Sequence, residues 1–215
     1  MYAKYIKRII DFVLSVVALI VLSPMFFVIT ILVRINLGSP VIFKQERVGK
    51  DERIFTMYKF RTMSNKKDFK GNLLPDEKRQ TKLGNILRST SLDELPELIN
   101  ILKGDIAIVG PRPLLVAYLP YYTEKERLRH SVRGGLTVPE VIYGKVTPTW
   151  EEQFSYEIDY TKNVSFLLDI KIIWNTFKII FKRVESDYGT EIRNPLNIER
   201  KDMVKNSVGE GEEDV

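Results

Sequence analysis

The densest concentration of reactive side chains lies in Arg88-Ser-Thr-Ser-Leu-Asp-Glu-Leu-Pro96, where two adjacent carboxylates, Asp93 and Glu94, follow an arginine. Ser91 and Glu94 have capping-box spacing, with Ser91 as N-cap and Glu94 as the third helical residue. On that reading Asp93 sits in the first turn, complements the helix dipole and does nothing else. A second reading adds chemistry. A carboxylate kept ionised by a helix start and by Arg88 can bind Mg²⁺ through its oxygens, or attack phosphorus as a nucleophile. Neighbouring residues on a helix point about 100° apart. One carboxylate can therefore face a substrate while the other faces its support.

Cations stand elsewhere in the chain. Gly110-Pro-Arg-Pro113 follows a short β-type run, Ile106–Val109. Its prolines stiffen the backbone on both sides of Arg112, and an arginine on a stiff turn suits bidentate phosphate binding. Lys59 and Arg61 share one face of a predicted strand, and Arg133-Gly-Gly135 places a further cation on a loop. Each has a plainer explanation, as a surface turn, a solvated strand face or a flexible loop. Taken together with the carboxylate pair, they suit phosphoryl-type transfer from a soluble phosphorylated donor to a lipid acceptor.

That chemistry needs a membrane, and one segment offers contact with it. Ile9–Val33 is the only long apolar run, and a spanning helix needs roughly 20 such residues. Its centre carries Ser23-Pro24. Proline lacks an N–H and its ring crowds the carbonyl of Ile20, so a helix should kink there. In lipid the freed carbonyl needs a partner, which the Ser23 hydroxyl can supply. Lys4, Lys7 and Arg8 precede the run, and Arg34, Lys44, Arg47 and Lys50 follow it. Positive charge marks the cytoplasmic side through asymmetry between loops, and here both flanks are positive. A re-entrant helix that enters, bends and returns explains this. A single kinked span remains the alternative.

The remaining segments position the candidate site. Val41–Lys44 and Ile54–Thr62 read as strands, the second with Phe55, Met57, Lys59 and Arg61 on one face. Ser64–Lys82 is polar and reads as a surface excursion. Helical pieces are expected at Gly84–Arg88 and Leu92–Leu102, and over parts of Leu114–Arg129, broken at Pro120. Ser165–Val184 carries Phe166, Ile170, Ile173, Trp174, Phe177, Ile180, Phe181 and Val184 at helical spacing. It is either a core helix or one lying in a membrane interface with its lysines toward the headgroups. From Glu185 the chain is polar and is expected to form a flexible tail.

Composition narrows the possibilities. The 215 residues suffice for one domain with a core. Without cysteine there is no disulfide framework or thiolate zinc site. His130 is the sole histidine, which argues against a Ser-His-Asp triad or a histidine metal site. The formal charge of +5 and sequence pI of about 9.2 suit anionic lipid or phosphorylated substrates. No basic aromatic module points to nucleic acid.

The sequence resembles the bacterial sugar transferase family, the monotopic phosphoglycosyl transferases, from about Lys4 to Arg183. The matching pieces are KRIIDF at Lys7–Phe12, Ser23-Pro24, VIFKQERVG at Val41–Gly49, YKFRTM at Tyr58–Met63, LRSTSLDELPELINILKGD at Leu87–Asp105 and IVGPRPLL at Ile108–Leu115. The likeness is to small members made of the catalytic core alone. It implies an α+β fold, mainly helical with short strands. A re-entrant membrane helix (residues 1–36) would carry a cytoplasmic catalytic domain (37–184) with interfacial amphipathic helices, followed by the tail (185–215). The active site would lie at the cytoplasmic face of the bacterial inner membrane. Asp93 would attack the β-phosphate of a UDP-sugar, UMP would leave, and polyprenol phosphate, of the undecaprenyl type, would take the phosphosugar in a ping-pong sequence. Mg²⁺ would be held by Asp93 and Glu94. Lys59, Arg88, Arg112 and Arg133 would bind substrate phosphates. The alternative is a non-catalytic membrane scaffold of the same fold, and a homodimer stays open.

One stretch departs from the family. Where RPGITGxAQVNGR is usual, this chain reads RGGLTVPEVIYGK at Arg133–Lys145. Val138 replaces a glycine and Glu140-Val141 replaces Ala-Gln. The dyad is intact, but the segment lies where the donor sugar would be recognised. An N-acetylated or amino-modified hexose is the expected donor. For the topology, the re-entrant reading predicts that Ala3→Cys and Asn65→Cys both react with a membrane-impermeant maleimide from the cytoplasmic side; labelling from opposite sides would establish a span.

Overall fold

The computed structural model describes residues 1–144, 148–185 and 193–201. They form an α+β arrangement, mostly helical with short strands. A π-helical turn, Tyr2–Ile6, leads into α1 (Lys7–Val21) and α2 (Ser23–Leu37). A hairpin of β1 (Ile42–Val48) and β2 (Ile54–Phe60) follows. Next come the short α3 (Asp76–Arg79), then α4 (Lys82–Ser89), α5 (Glu97–Lys103), β3 (Ala107–Val109), α6 (Glu124–Arg127) and β4 (Gly135–Thr137). Helices α7 (Trp150–Lys162), α8 (Phe166–Glu185) and α9 (Leu196–Glu199) close the described chain.

α1 and α2 meet at a bend of 64°. Pro24 accounts for it, and the Ser23 hydroxyl donates to the Ile20 carbonyl at 2.8 Å, as the sequence predicts. Among the described residues no single helix is long and apolar enough to cross a membrane, whereas the bent pair together passes on length and composition. Its outer surface is apolar: Ile9, Val17, Ile20, Val21, Phe27 and Ile35 are all exposed. The inner surface holds it to the domain. Ile29 and Val33 are buried with Phe60 and Leu87, and Ala18, Leu19 and Leu22 pack on Leu98, Ile101 and Ile106.

Polar ties reinforce that seam. Asp169 of α8 accepts from the Tyr2 hydroxyl at 2.6 Å, the Lys7 ammonium at 2.7 Å and the Tyr160 hydroxyl at 2.7 Å. Arg61, expected on the cleft face of β2, lies just past the strand's end and donates to the carbonyls of Leu37 and Ser39. It anchors the end of α2. Strand geometry explains the loss: β2 stops at Phe60, so the alternation that orders Met57 and Lys59 no longer applies.

β1 and β2 pair antiparallel, Lys44 opposite Tyr58, while β3 and β4 pair parallel, Ala107 opposite Gly135. The second contact is close. A β-carbon on Gly110 would stand 2.3 Å from the Arg133 carbonyl oxygen, so only glycine fits. The expected Leu92–Leu102 helix is two pieces, a 3₁₀ turn at Leu92–Glu94 and then α5, divided at Pro96. Pro120 lies inside a 3₁₀ segment, Val116–Tyr121. On α8 Ile172 is buried, but Phe166, Leu167, Ile170, Trp174 and Phe177 are exposed, so this helix is only partly a core element. Of the stretch expected as a tail, residues 193–201 dock on the domain. Leu196 is buried with Trp150 and Phe154, and Arg200 pairs with Glu126 at 2.7 Å. The rest of that stretch lies outside the described residues.

The deepest charges are Arg129 and Glu157, 1% and 0% exposed at the side chain. They pair bidentately, Nε to Oε2 at 2.6 Å and Nη2 to Oε1 at 3.0 Å. His130 accepts from Arg129 through Nε2 at 3.1 Å. Arginine only donates, so His130 is neutral with its proton on Nδ1, facing Glu52 at 3.3 Å. Burial, and after it the charge of Arg129, lowers its pKa to about 4. Removing one member of a buried pair leaves an uncompensated charge, at a cost of about 3–5 kcal/mol. Arg129→Met should lower the melting temperature of the detergent-solubilised protein by on the order of 10 °C, and adding Glu157→Leu should restore much of that loss; an unchanged melting curve in the single variant would contradict this account.

Candidate active site

The dyad sits between two helices in a tight turn. α4 is capped by Thr81, whose hydroxyl accepts from the Gly84 amide at 3.0 Å, and it packs so closely on Thr62 that only glycine fits at 84. At its end Ser91 takes a left-handed conformation, φ 56° and ψ 18°, with no side-chain cap bond. The capping box read from the sequence is therefore not formed. Ser91 uses its backbone rather than its hydroxyl, reversing the chain so that Asp93 turns inward. A left-handed non-glycine residue costs about 1–2 kcal/mol, and here it stands two positions from the dyad.

Asp93 is buried and Glu94 half-buried. Lys59 of β2 reaches over from the hairpin. Its ammonium lies 2.7 Å from Glu94 Oε1 and 3.1 Å from Glu97 Oε1. Glu97, at the start of α5, is 3% exposed and was not singled out by sequence reasoning. Three carboxylates thus share one nearby lysine. Burial and then the charge of Glu94 push Asp93 up to about 6, against the pull of Lys59 and Arg88. Burial pushes Glu97 up to about 7, opposed by Lys59 and reinforced by Glu94. Burial lowers Lys59, but the charges of Glu94 and Glu97 outweigh it and raise it overall.

Arg88 flanks the dyad from α4, its Nε donating to Thr62 Oγ1 at 3.0 Å. Arg112 arrives on the Pro111–Pro113 turn. Its backbone is held from both sides, the amide donating to Glu157 Oε1 at 2.9 Å and the carbonyl accepting from Arg129 Nη2 at 2.5 Å. The buried pair is thus the support for this turn, which the sequence did not reveal. Lys59, Glu94, Glu97 and Arg112 line one cavity with Arg47, Met57 and Val138. Arg47 was read only as a membrane flank. Asn100, also missed, ties β2 to α5 by accepting from the Tyr58 amide and donating to the Thr56 carbonyl.

Arg133 stands apart. Its Nε donates to the Gly104 carbonyl at 2.9 Å, at the far end of α5, and it lines a different cavity. Lys59 and Arg112 therefore share a cavity with Glu94, whereas Arg133 does not. Of the segment that departs from the family, Val138 lines the catalytic cavity and Glu140 is buried behind it. Burial, and then the charge of Glu157, raises Glu140 to about 7, and its Oε2 makes no hydrogen bond among the described residues. Lys145 lies outside the described residues.

Among the described residues, no three His, Cys, Asp or Glu side chains converge as a complete metal cage. Mg²⁺ usually takes one or two carboxylates and fills its shell with water and substrate phosphate oxygens. Asp93 and Glu94 would be the carboxylates of such a donor set.

Residues 2–183 match the bacterial sugar transferase family. The chain is 45% identical over 195 residues to an uncharacterized sugar transferase, EpsL, of Bacillus subtilis (strain 168), covering 91% of this chain and 95% of that one. It is 37% identical over 183 residues to the UDP-glucose:undecaprenyl-phosphate glucose-1-phosphate transferase of Escherichia coli (strain K12), covering 80% of this chain and 39% of that protein. It is 33% identical to the UDP-N-acetylgalactosamine-undecaprenyl-phosphate N-acetylgalactosaminephosphotransferase of Aeromonas hydrophila, covering 82% of this chain and 44% of that one. The chain thus spans nearly all of the first relative and less than half of the other two. It belongs to the bacterial sugar transferase family and is an enzyme of the phosphoglycosyl transferase class.

A carboxylate nucleophile must be ionised. With Asp93 near 6, kcat/KM should be steady above pH 7 and fall by about tenfold per unit below pH 6. A profile flat down to pH 5 would show that Asp93 is either more acidic in the enzyme or not the nucleophile.

Proposed function

We propose that the protein transfers a sugar-1-phosphate from a UDP-sugar to polyprenol phosphate of the undecaprenyl type, releasing UMP, as the first membrane step of a surface glycan. The observation that carries this is a buried Asp93, pushed up by its burial and by Glu94 and drawn down by Lys59 and Arg88, next to a cavity that Lys59, Glu94 and Arg112 line. The names of the Escherichia coli and Aeromonas hydrophila relatives support the same donor and acceptor classes.

An oxygen of the Asp93 carboxylate bonds to the β-phosphorus as the bond to the UMP oxygen breaks, leaving a phosphosugar-aspartyl enzyme. The acceptor's phosphate oxygen then bonds to that phosphorus and the Asp93 carboxylate departs. Lys59 and Arg112 hold the phosphate oxygens and offset charge that builds on them. Glu94, bridged to Lys59, fixes the lysine's position. Mg²⁺ held by Asp93 and Glu94 with substrate phosphate would neutralise charge between two anionic reactants. The bent α1–α2 pair lies in the inner leaflet as a re-entrant helix, with α8 at the interface, which accounts for their exposed apolar surfaces. This puts the dyad at the cytoplasmic face. Val138 and the buried Glu140 shape the region beyond the phosphates, and an N-acetylated or amino-modified hexose is the proposed sugar.

The test is UMP release from a panel of UDP-sugars with polyprenol phosphate and Mg²⁺. One donor should give release, and Asp93→Asn should reduce it by several orders of magnitude while the variant still floats with vesicles. Release that survives in Asp93→Asn would remove Asp93 as nucleophile.

A further inference from the structure

A second cavity, of about 290 Å³, lies away from the dyad. Lys4, Lys7, Arg8, Lys50 and Arg133 line it, against a single lining carboxylate, Asp11. It shares no lining residue with the catalytic cavity. α5 separates the two, with Glu97 at one end and the Gly104 carbonyl at the other, roughly 10 Å apart at 1.5 Å per residue.

The cations are held in different ways. Arg8 donates to the carbonyls of Ile101 and Leu102, and Arg133 Nε to that of Gly104. Both guanidinium groups thus cap the negative end of α5, which fixes them in place. The Nη groups of Arg133 make no hydrogen bond among the described residues. Lys7 is committed to Asp169 at 2.7 Å. Lys4 makes no ion pair among the described residues, and Lys50 only a long one to Asp51, at 3.9 Å. The cavity therefore offers spare donors and a net positive wall.

Its position names the source of an anion. Lys4, Lys7 and Arg8 sit where α1 begins, immediately before the exposed apolar side chains of Ile9, Phe12 and Val13. The exposed apolar residues at the start of α8, Phe166 and Leu167, meet the same place through the Asp169 contacts to Tyr2 and Lys7. Two apolar surfaces converge beside a basic cavity just under the roughly 300–1,000 Å³ typical of drug-sized ligand sites. A headgroup phosphate fits that size and charge. We propose that this cavity binds the phosphate of an anionic glycerophospholipid and fixes the depth and tilt of the bent helix pair. The source rests on the membrane reading of α1 and α2; the basic cavity itself does not.

The test uses the full chain. Wild type and Lys4→Gln/Lys50→Gln are reconstituted in nanodiscs of phosphatidylcholine with phosphatidylglycerol, released into mild detergent, and analysed by native mass spectrometry. Flotation with phosphatidylcholine vesicles reports separately on membrane association. Wild type should retain one phosphatidylglycerol per chain in preference to phosphatidylcholine. The double variant should lose that preference by on the order of tenfold, with flotation and UMP release in pure phosphatidylcholine unchanged. Equal retention in both proteins overturns the site. Inorganic phosphate that displaces the lipid at low millimolar concentration overturns the lipid as its ligand. Failure of wild type to float overturns the membrane reading, and the lipid source with it.

Discussion

The active site depends on how negative charge is distributed in a place water barely reaches. Asp93, Glu94 and Glu97 lie within one short stretch, and Lys59 pairs with the last two. An ionised carboxylate is costly to bury without a partner. The lysine relieves Glu94 and Glu97 directly and Asp93 only at longer range. Asp93 is thus left with a raised proton affinity and, among the described residues, no hydrogen-bonded cation of its own. Such a group can give up its proton near neutral pH and is then poorly stabilised by its surroundings, which is the condition of a reactive oxygen nucleophile.

Two other buried charge clusters hold the frame around it. Arg129 and Glu157 pair bidentately, and each also bonds the backbone of Arg112, Glu157 at its amide and Arg129 at its carbonyl. Arg112, on a turn between two prolines, is thereby fixed at main-chain level, and it lines the cavity with Lys59, Glu94 and Glu97. The Asp169 cluster, reached through Tyr160 less than one turn of α7 beyond Glu157, ties α1, α7 and α8 with one carboxylate. It couples the bent helix pair to the domain that carries the dyad. Buried pairs of this kind add little net stability; their value here is geometric.

The sequence was informative wherever a local rule governs. The kink at Pro24 with its serine partner, the β2 strand with Lys59 on the inward face, and the Pro-Arg-Pro turn all follow from one or two residues and their neighbours. The dyad itself was visible as paired carboxylates beside an arginine. The capping box failed because Ser91 adopts a left-handed backbone, a choice imposed by the packing of α4 on Thr62 and of Leu92 and Leu95 on Phe60 and Leu87. Glu97, Asn100, Arg129 and Glu157 gave no local signal, since each acts on a residue far away in sequence. Arg133 was read as a phosphate ligand from its place on a glycine-rich loop. In the structure its Nε donates to the Gly104 carbonyl, 29 residues distant along the chain.

The central claim is that bond-breaking to UMP does not require the lipid acceptor, because Asp93 takes the phosphosugar first. The direct test is isotope exchange between labelled UMP and the active UDP-sugar, with Mg²⁺ and enzyme but with polyprenol phosphate rigorously removed. Label should appear in the UDP-sugar at a rate comparable to turnover, and Asp93→Asn should abolish it. Exchange that appears only when acceptor is added would show direct transfer between the two substrates and contradict the aspartyl intermediate.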